Sequence, residues 1–179
     1  MLNKFLLISM RKLRLFFAVA AFLVTAIAVS YGQPYPVKIA VNLNQFDVKS
    51  GKTGLGFSVS VSRLYFDMAT NFATGDGANR ERTSPDTYKL EKMRIGIING
   101  GYVIPISKFF IIPKVGIAWS FDILQNIHPE PTYYMYNEND HFNFGIVGGY
   151  HLNDKFSVKV GAGSFERFTL GIQYCLGDY

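Results

Sequence analysis

Residues 168–176 read Phe-Thr-Leu-Gly-Ile-Gln-Tyr-Cys-Leu, an alternation of apolar with small or polar residues that runs without a slip. Side chains of a strand point alternately to its two faces. Phe168, Leu170, Ile172, Tyr174 and Leu176 therefore share one face, and Thr169, Gly171, Gln173 and Cys175 the other. The stretch reads as a strand, and most of the chain repeats its pattern.

From residue 37 onward eight alternating segments can be marked: 37–46, 54–61, 64–72, 93–105, 109–122, 141–152, 156–164 and 167–176. Between the second and third the apolar parity changes, since Leu55, Phe57, Val59 and Val61 are odd-numbered and Leu64, Phe66 and Met68 even. One continuous strand cannot do this. A two-residue turn at Ser62-Arg63 can, because it sets Val61 opposite Leu64 on one face; a bulge there is the alternative. Short links (Ser62-Arg63, Ile106-Ser107-Lys108, Asn153-Asp154-Lys155) alternate with longer ones, notably 73–92 and 123–140. Segment 48–53 and Phe165-Glu166 make two further short connections on the long-loop side. No helix periodicity and no linker marks a second domain.

Two features separate a membrane barrel from a soluble one. Aromatics of the apolar face collect at segment ends: Phe109, Tyr150, Phe156 and Tyr174 near the short links, and Phe72, Trp119, Phe121, Phe142, Phe144 and Phe168 near the long ones. Aliphatics such as Val115, Ile117, Val160 and Ile172 fill the middles. Two aromatic girdles around an aliphatic band are what lipid interfaces select, whereas an apolar interior has no reason to sort aromatics by height. Secondly, the polar face is rich in glycine (Gly54, Gly56, Gly96, Gly100, Gly116, Gly145, Gly149, Gly161, Gly163, Gly171), with Gly101 and Gly148 as exceptions. Glycine weakens a solvated strand, but in a narrow lumen it makes room and lets the sheet curl.

Residues 1–32 carry Lys4, Arg11, Lys12 and Arg14, no acid, and an apolar run over 15–29 followed by small residues. This predicts a secretory signal peptide, too short to span as a helix, with Gln33 as the new N-terminus and Met10 as an alternative start. Removing it leaves 14 Lys+Arg against 13 Asp+Glu in residues 33–179, so the basic balance belongs mostly to the signal and nucleic-acid binding loses its support. The single cysteine, Cys175, excludes an intramolecular disulfide framework.

Thr169, Gly171, Tyr174 and Leu176 are spaced as a polar residue, a glycine two on, and apolar residues five and seven on. In this the segment resembles the C-terminal strand of bacterial outer-membrane β-barrels, although Gly177-Asp178-Tyr179 extends past the usual terminal aromatic. The chain as a whole is similar to the small OmpA/OmpX-like group. The resemblance implies an all-β protein, an eight-stranded antiparallel transmembrane up-and-down β-barrel over 33–179, located in the outer membrane. It also implies short turns on the periplasmic side, and assembly by the barrel-assembly machinery through the C-terminal strand.

A bore of eight strands is filled by side chains, so the expected role is structural or surface interaction with a closed lumen. The alternatives are a lipid-modifying barrel enzyme and a soluble lipocalin-like barrel holding a small apolar ligand. Parity aims Lys38, Asp67, Arg94, Lys114, Asp122, His151, Lys159 and Arg167 inward, as an internal salt-bridge network or as a proton or ligand path. For catalysis the imidazoles are His128, His141 and His151, and Ser120, Ser164 and Glu166 are the groups near His141 at the rim; no spacing marks a triad. No catalytic, cofactor-binding or metal residue is assigned and no cofactor is expected. The stretch Gly75-Asp76-Gly77-Ala78-Asn79 reads as turn chemistry rather than a calcium loop. Outer-membrane lipid is the expected partner of the apolar face. An extracellular protein or glycan is the partner considered for loops 73–92 and 123–140, the latter with Tyr133, Tyr134 and Tyr136.

Overall fold

A sheet whose strands each carry one apolar and one polar face still has two open edges, and closing it on itself removes both. The computed structural model describes residues 36–46, 53–74, 77–79, 90–126 and 132–176, and in it the sheet closes this way. Eight antiparallel strands follow in chain order: β1 (Val37–Phe46), β2 (Thr53–Val61), β3 (Leu64–Asn71), β4 (Leu90–Tyr102), β5 (Phe109–Asn126), β6 (Thr132–His151), β7 (Phe156–Gly163) and β8 (Glu166–Leu176). Each pairs with the next, and β8 returns to β1 with Ile172 opposite Val41. A short piece, Ile104–Ile106, continues β4 beyond Val103 and pairs with Ile111, Phe110 and Phe109 of β5. The expected signal segment, 1–32, lies outside the described residues, as do 47–52 and 177–179.

The parity change at Ser62-Arg63 is a turn: Val61 pairs with Leu64, and Ser62 alone of the two central residues has positive φ, 55°, as a type II′ turn requires. Ser107-Lys108 repeats this, with Ser107 at 57° and Ile106 opposite Phe109. In the third tight link the Asn153 side-chain oxygen accepts the N–H of Lys155 at 2.9 Å and of Phe156 at 2.8 Å.

Alternation now sorts the residues by solvent. Val41, Leu43, Leu55, Val115, Ile117, Ile146, Val160, Leu170 and Ile172 are exposed on the outside, whereas Asn42, Asn99, Lys114, Asn143 and Lys159 are buried inside. Val37 and Val59 depart from the pattern and are buried. An apolar surface of this extent is tolerable only against lipid. Both girdles are present on the outside: Phe109 and Tyr150 pack at 4.9 Å and Phe156 and Tyr174 at 5.1 Å near the tight turns, and Phe142 and Phe144 lie toward the other end. β1, β2, β3, β7 and β8 have 8 to 11 residues, close to the ~9–11 that cross a bilayer with tilt.

Four expectations are corrected. First, β4 has the opposite register: Ile95, Ile97 and Asn99 face the lumen opposite Ser120, Ala118 and Gly116, so Arg94, Gly96 and Gly100 face out. Apolar residues occupy both faces of β4, so its alternation carries little information. The inversion explains Gly101, which lies inside where a Cβ would sit 2.7 Å from the Pro113 carbonyl oxygen, while Gly96 lies outside beneath the Trp119 ring. Gly148 is outward, in open space. Secondly, Arg167 is the extra residue of a β-bulge, since Gln45 pairs with Phe168 but Phe46 with Glu166. The bulge leaves Arg167 exposed and turns Glu166 inward, so Glu166 belongs to β8 and the connection is Ser164-Phe165.

Thirdly, 123–126 and 132–140 are strand rather than loop. β5 runs 18 residues and β6 20, and beyond a bulge opposite Phe121 they continue paired, Ile123 with Met135 and Asn126 with Thr132. Leu90 to Lys92 of β4 join them, and Ala78–Asn79 lies parallel against Thr132 and Tyr133. The barrel therefore has one tall side, a ribbon standing above the membrane-crossing part. Fourthly, Ala78 and Asn79 are strand rather than turn; Gly77, at φ 86°, bends the chain before them.

The face assignment sets two outcomes. Ile117→Arg, mid-stave on the lipid face, should cost about 2–4 kcal/mol in urea unfolding from lipid vesicles. In a Cys175→Ser background, a cysteine at position 94 should react with an aqueous thiol reagent and one at position 95 should not; the reverse would restore the other register.

Candidate functional site

Residues that close a barrel leave their polar half in a narrow bore, where each charge must find a partner. Midway along it the Lys114 ammonium donates to Asp67 Oδ2 at 2.8 Å and to Glu166 Oε2 at 2.5 Å, with all three side chains nearly inaccessible. Asp67 is further held by Asn99 Nδ2, 2.5 Å from Oδ1, and by the Tyr65 hydroxyl, 3.1 Å from Oδ2. Asn143 Nδ2 donates to Asn99 Oδ1 at 2.7 Å, and Ser164 Oγ donates to Asn143 Oδ1 at 2.7 Å. The second ammonium, Lys159, donates to Ser58 Oγ at 2.6 Å and lies 5.2 Å from the centre of the Tyr65 ring. Two carboxylates and two ammoniums thus share one layer without excess charge.

Apolar side chains lie on both sides of this layer. Toward the ribbon are Phe46, Ala69, Ile95, Ile97 and Ala118, with Met93 and Phe165 against them. Toward the tight turns are Tyr65, Phe110, Ile112 and Val147, with Val103. Below the second group an indentation of about 20 Å³, lined by Lys38, Ser60, Phe110 and Gln173 among others, has room for roughly one water.

Of the residues expected inside, Asp67, Lys114 and Lys159 are buried in the lumen, Asp122 is buried at the foot of the ribbon and Lys38 and His151 are half-buried near the tight turns, whereas Arg94 and Arg167 are exposed on the outside. Glu166, expected at the rim beside His141, instead bonds Lys114. Sequence reasoning missed it because one inserted residue changes the parity, and nothing in Phe165-Glu166-Arg167 announces a bulge. Asn99 was missed with the register of β4.

The imidazoles are dispersed. His141 is exposed at the outer rim with its ring 5.0 Å from that of Phe165. His151 Nδ1 is 2.7 Å from Ser157 Oγ, and its ring packs on Phe110 at 4.9 Å. His128 and the side chain of Tyr136 lie outside the described residues. Ser120 is buried, and Ser164 is engaged by Asn143. Among the described residues no three His, Cys, Asp or Glu side chains group as metal ligands.

Lys114→Met strands two buried carboxylates and should lower the unfolding free energy by about 3–5 kcal/mol, read from the fluorescence of the single tryptophan, Trp119. The combination D67N/K114M/E166Q removes the stranded charges and should cost less than K114M alone.

No protein-family model matches the chain, and no curated protein does. Solved structures do. The crystal structure of Ail, the attachment invasion locus protein of Yersinia pestis, in complex with the heparin analogue sucrose octasulfate has a TM-score of 0.50 at 11 % identity. That alignment covers 79 % of this chain and 97 % of Ail. The backbone structure of Ail in a phospholipid bilayer nanodisc gives 0.50 at 13 %, over 79 % and 99 %. The N-terminal β-barrel domain of Pseudomonas aeruginosa OprF gives 0.46 at 10 %, over 79 % and 97 %. At 11 % and 13 % identity the likeness to Ail is one of fold, and it agrees with the apolar belt, the two girdles and the polar bore. The chain has the closed fold of the small eight-stranded outer-membrane β-barrels, the OmpA/OmpX-like kind.

Proposed function

We propose that this outer-membrane barrel is a non-conducting surface protein, in which the closed staves anchor the chain and the ribbon of β4, β5 and β6 makes contact outside the cell. The observation that carries the reading is the occupied bore: the Lys114, Asp67 and Glu166 cluster lies between two apolar groups, so an ion would have to displace both. The ribbon supports the second half. Ile123, Leu124, Gln125 and Thr132 are buried within it, and Tyr133 and Tyr134 are half-buried, so it is a packed surface held away from the membrane. Tyrosines on such a surface suit a protein or glycan partner. A barrel of similar fold, Ail, has been solved with a heparin analogue bound, which makes sulfated glycan a reasonable first probe.

In this reading residues 1–32 direct export and are removed, and the β8 pattern from Thr169 to Leu176 is what the assembly machinery recognises. Catalysis has no part in it. Phospholipid or lipid A hydrolysis, or acyl transfer, that disappears in His141→Ala would replace the reading with an enzymatic one.

The proposal has two outcomes to check. Purified barrel in planar bilayers should give no steady porin-sized conductance. A variant in which residues 123–135 are replaced by an Asn-Gly turn joins paired residues Asp122 and Tyr136. It should keep the heat-shifted gel migration of a folded barrel yet lose retention on immobilised heparin or on host-cell surfaces, if the intact protein is retained. Steady channels from the intact barrel would overturn the non-conducting half, and unchanged retention by the shortened variant would overturn the ribbon half.

A further inference from the structure

The three tight turns, at the end of the barrel opposite the ribbon, repeat one arrangement. In the first, Arg63 closes the turn, Leu64 begins β3 facing outward, and Tyr102 of β4 lies directly opposite Leu64. The N–H of Val103, the residue after that tyrosine, donates to the Arg63 carbonyl at 2.7 Å. In the second, Lys108 closes the turn, Phe109 begins β5 opposite Tyr150 of β6, and the His151 N–H donates to the Lys108 carbonyl at 2.8 Å. In the third, Lys155 precedes Phe156, which begins β7 opposite Tyr174 of β8, and the Cys175 N–H donates to the Lys155 carbonyl at 2.8 Å.

Turn formation does not demand this. Ser62, Ser107 and Asn153 satisfy the local backbone, and the last turn position is open to most residues. Yet each unit places a cation there, an exposed apolar side chain next to it and a tyrosine across from that. Each cation also has its backbone carbonyl tied to the neighbouring hairpin, so its side chain springs from a fixed point of the rim. In the first unit an Arg63 guanidinium nitrogen lies 3.3 Å from the Tyr102 hydroxyl, so cation and hydroxyl are within reach of one anion. Asp154 is the one acid in the three turns.

We infer that the three units are equivalent sites for the phosphate of an anionic phospholipid in the leaflet facing these turns. The cation pairs with the phosphate, the tyrosyl hydroxyl donates to it, and Leu64, Phe109 or Phe156 lies along the acyl chain below. The inference rests on the barrel standing in a bilayer.

The test uses the full barrel in phosphatidylcholine vesicles carrying a trace of spin-labelled phosphatidylglycerol or spin-labelled phosphatidylcholine, with the motionally restricted fraction of each label as readout. The wild type should favour phosphatidylglycerol by roughly fivefold per site at low salt. R63Q/K108Q/K155Q should bring the two lipids to parity. Y102F/Y150F/Y174F, which keeps every charge, should lower the preference without abolishing it. A wild-type preference in the glutamine variant, or an unaltered one in the phenylalanine variant, overturns the sites. A barrel that does not associate with either vesicle overturns the bilayer reading, and the sites with it.

Discussion

The ladder between β1 and β8 is the contact on which the other features depend. Hydrocarbon offers no water to an unpaired N–H or C=O, so strands can cross it only as a closed sheet. The register from Val37 opposite Leu176 to Gln45 opposite Phe168, with Phe46 opposite Glu166 beyond the bulge, supplies that closure along all of β1. Once the sheet is shut the polar face of every stave has a single destination. The pairing of Lys114 with Asp67 and Glu166, the small residues that admit them, and the bulge that turns Glu166 inward are conditions for that destination to be tolerable. The bulge falls at the last position of the closing ladder, where a local kink disturbs the fewest pairs.

Within the bore, polar and apolar groups are layered along the axis. Apolar side chains on either side thin the water around the charges, which strengthens each hydrogen bond and raises the cost of losing one. Asp67 illustrates the balance, since both of its oxygens are occupied, by an amide, a phenol and an ammonium from three different strands. The interior also holds the staves in register, because a slip of one residue would turn these side chains to the lipid face.

Much of this was legible in the sequence where one side of a strand differs sharply from the other. β8 alternates without exception, and its inside and outside follow directly. Asp67, Lys114 and Lys159 could be placed in the lumen for the same reason, and the turn at Ser62-Arg63 follows from a parity change that no continuous strand permits. The signal weakened where the surroundings change. β4 is apolar on both faces because it lines an apolar group inside and meets lipid outside, so Arg94 was placed by the parity of a pattern that was not there. Arg94 tolerates the outside because it lies level with Phe121, at the girdle rather than in the band. The ribbon was hidden because above the membrane the rule of an apolar outside lapses, and the polar run near Asn137 and Glu138 looks like a loop although its neighbours remain paired. Glu166 depended on one inserted residue, which periodicity alone does not reveal.

The ribbon also reopens a problem that closure had solved. β7 pairs with β6 only as far as Gly145, so along the tall side β6 has an edge with no neighbouring stave among the described residues. Ala78–Asn79 occupies it at Thr132 and Tyr133, and between there and the barrel rim it carries Glu138 and Asp140, both exposed. Acidic side chains on an open edge repel the same edge of a second molecule, as the protected edges of soluble sheets do. The exposed edge of the ribbon is therefore guarded against strand exchange with its own kind, and crowding at the surface need not zip neighbouring barrels together.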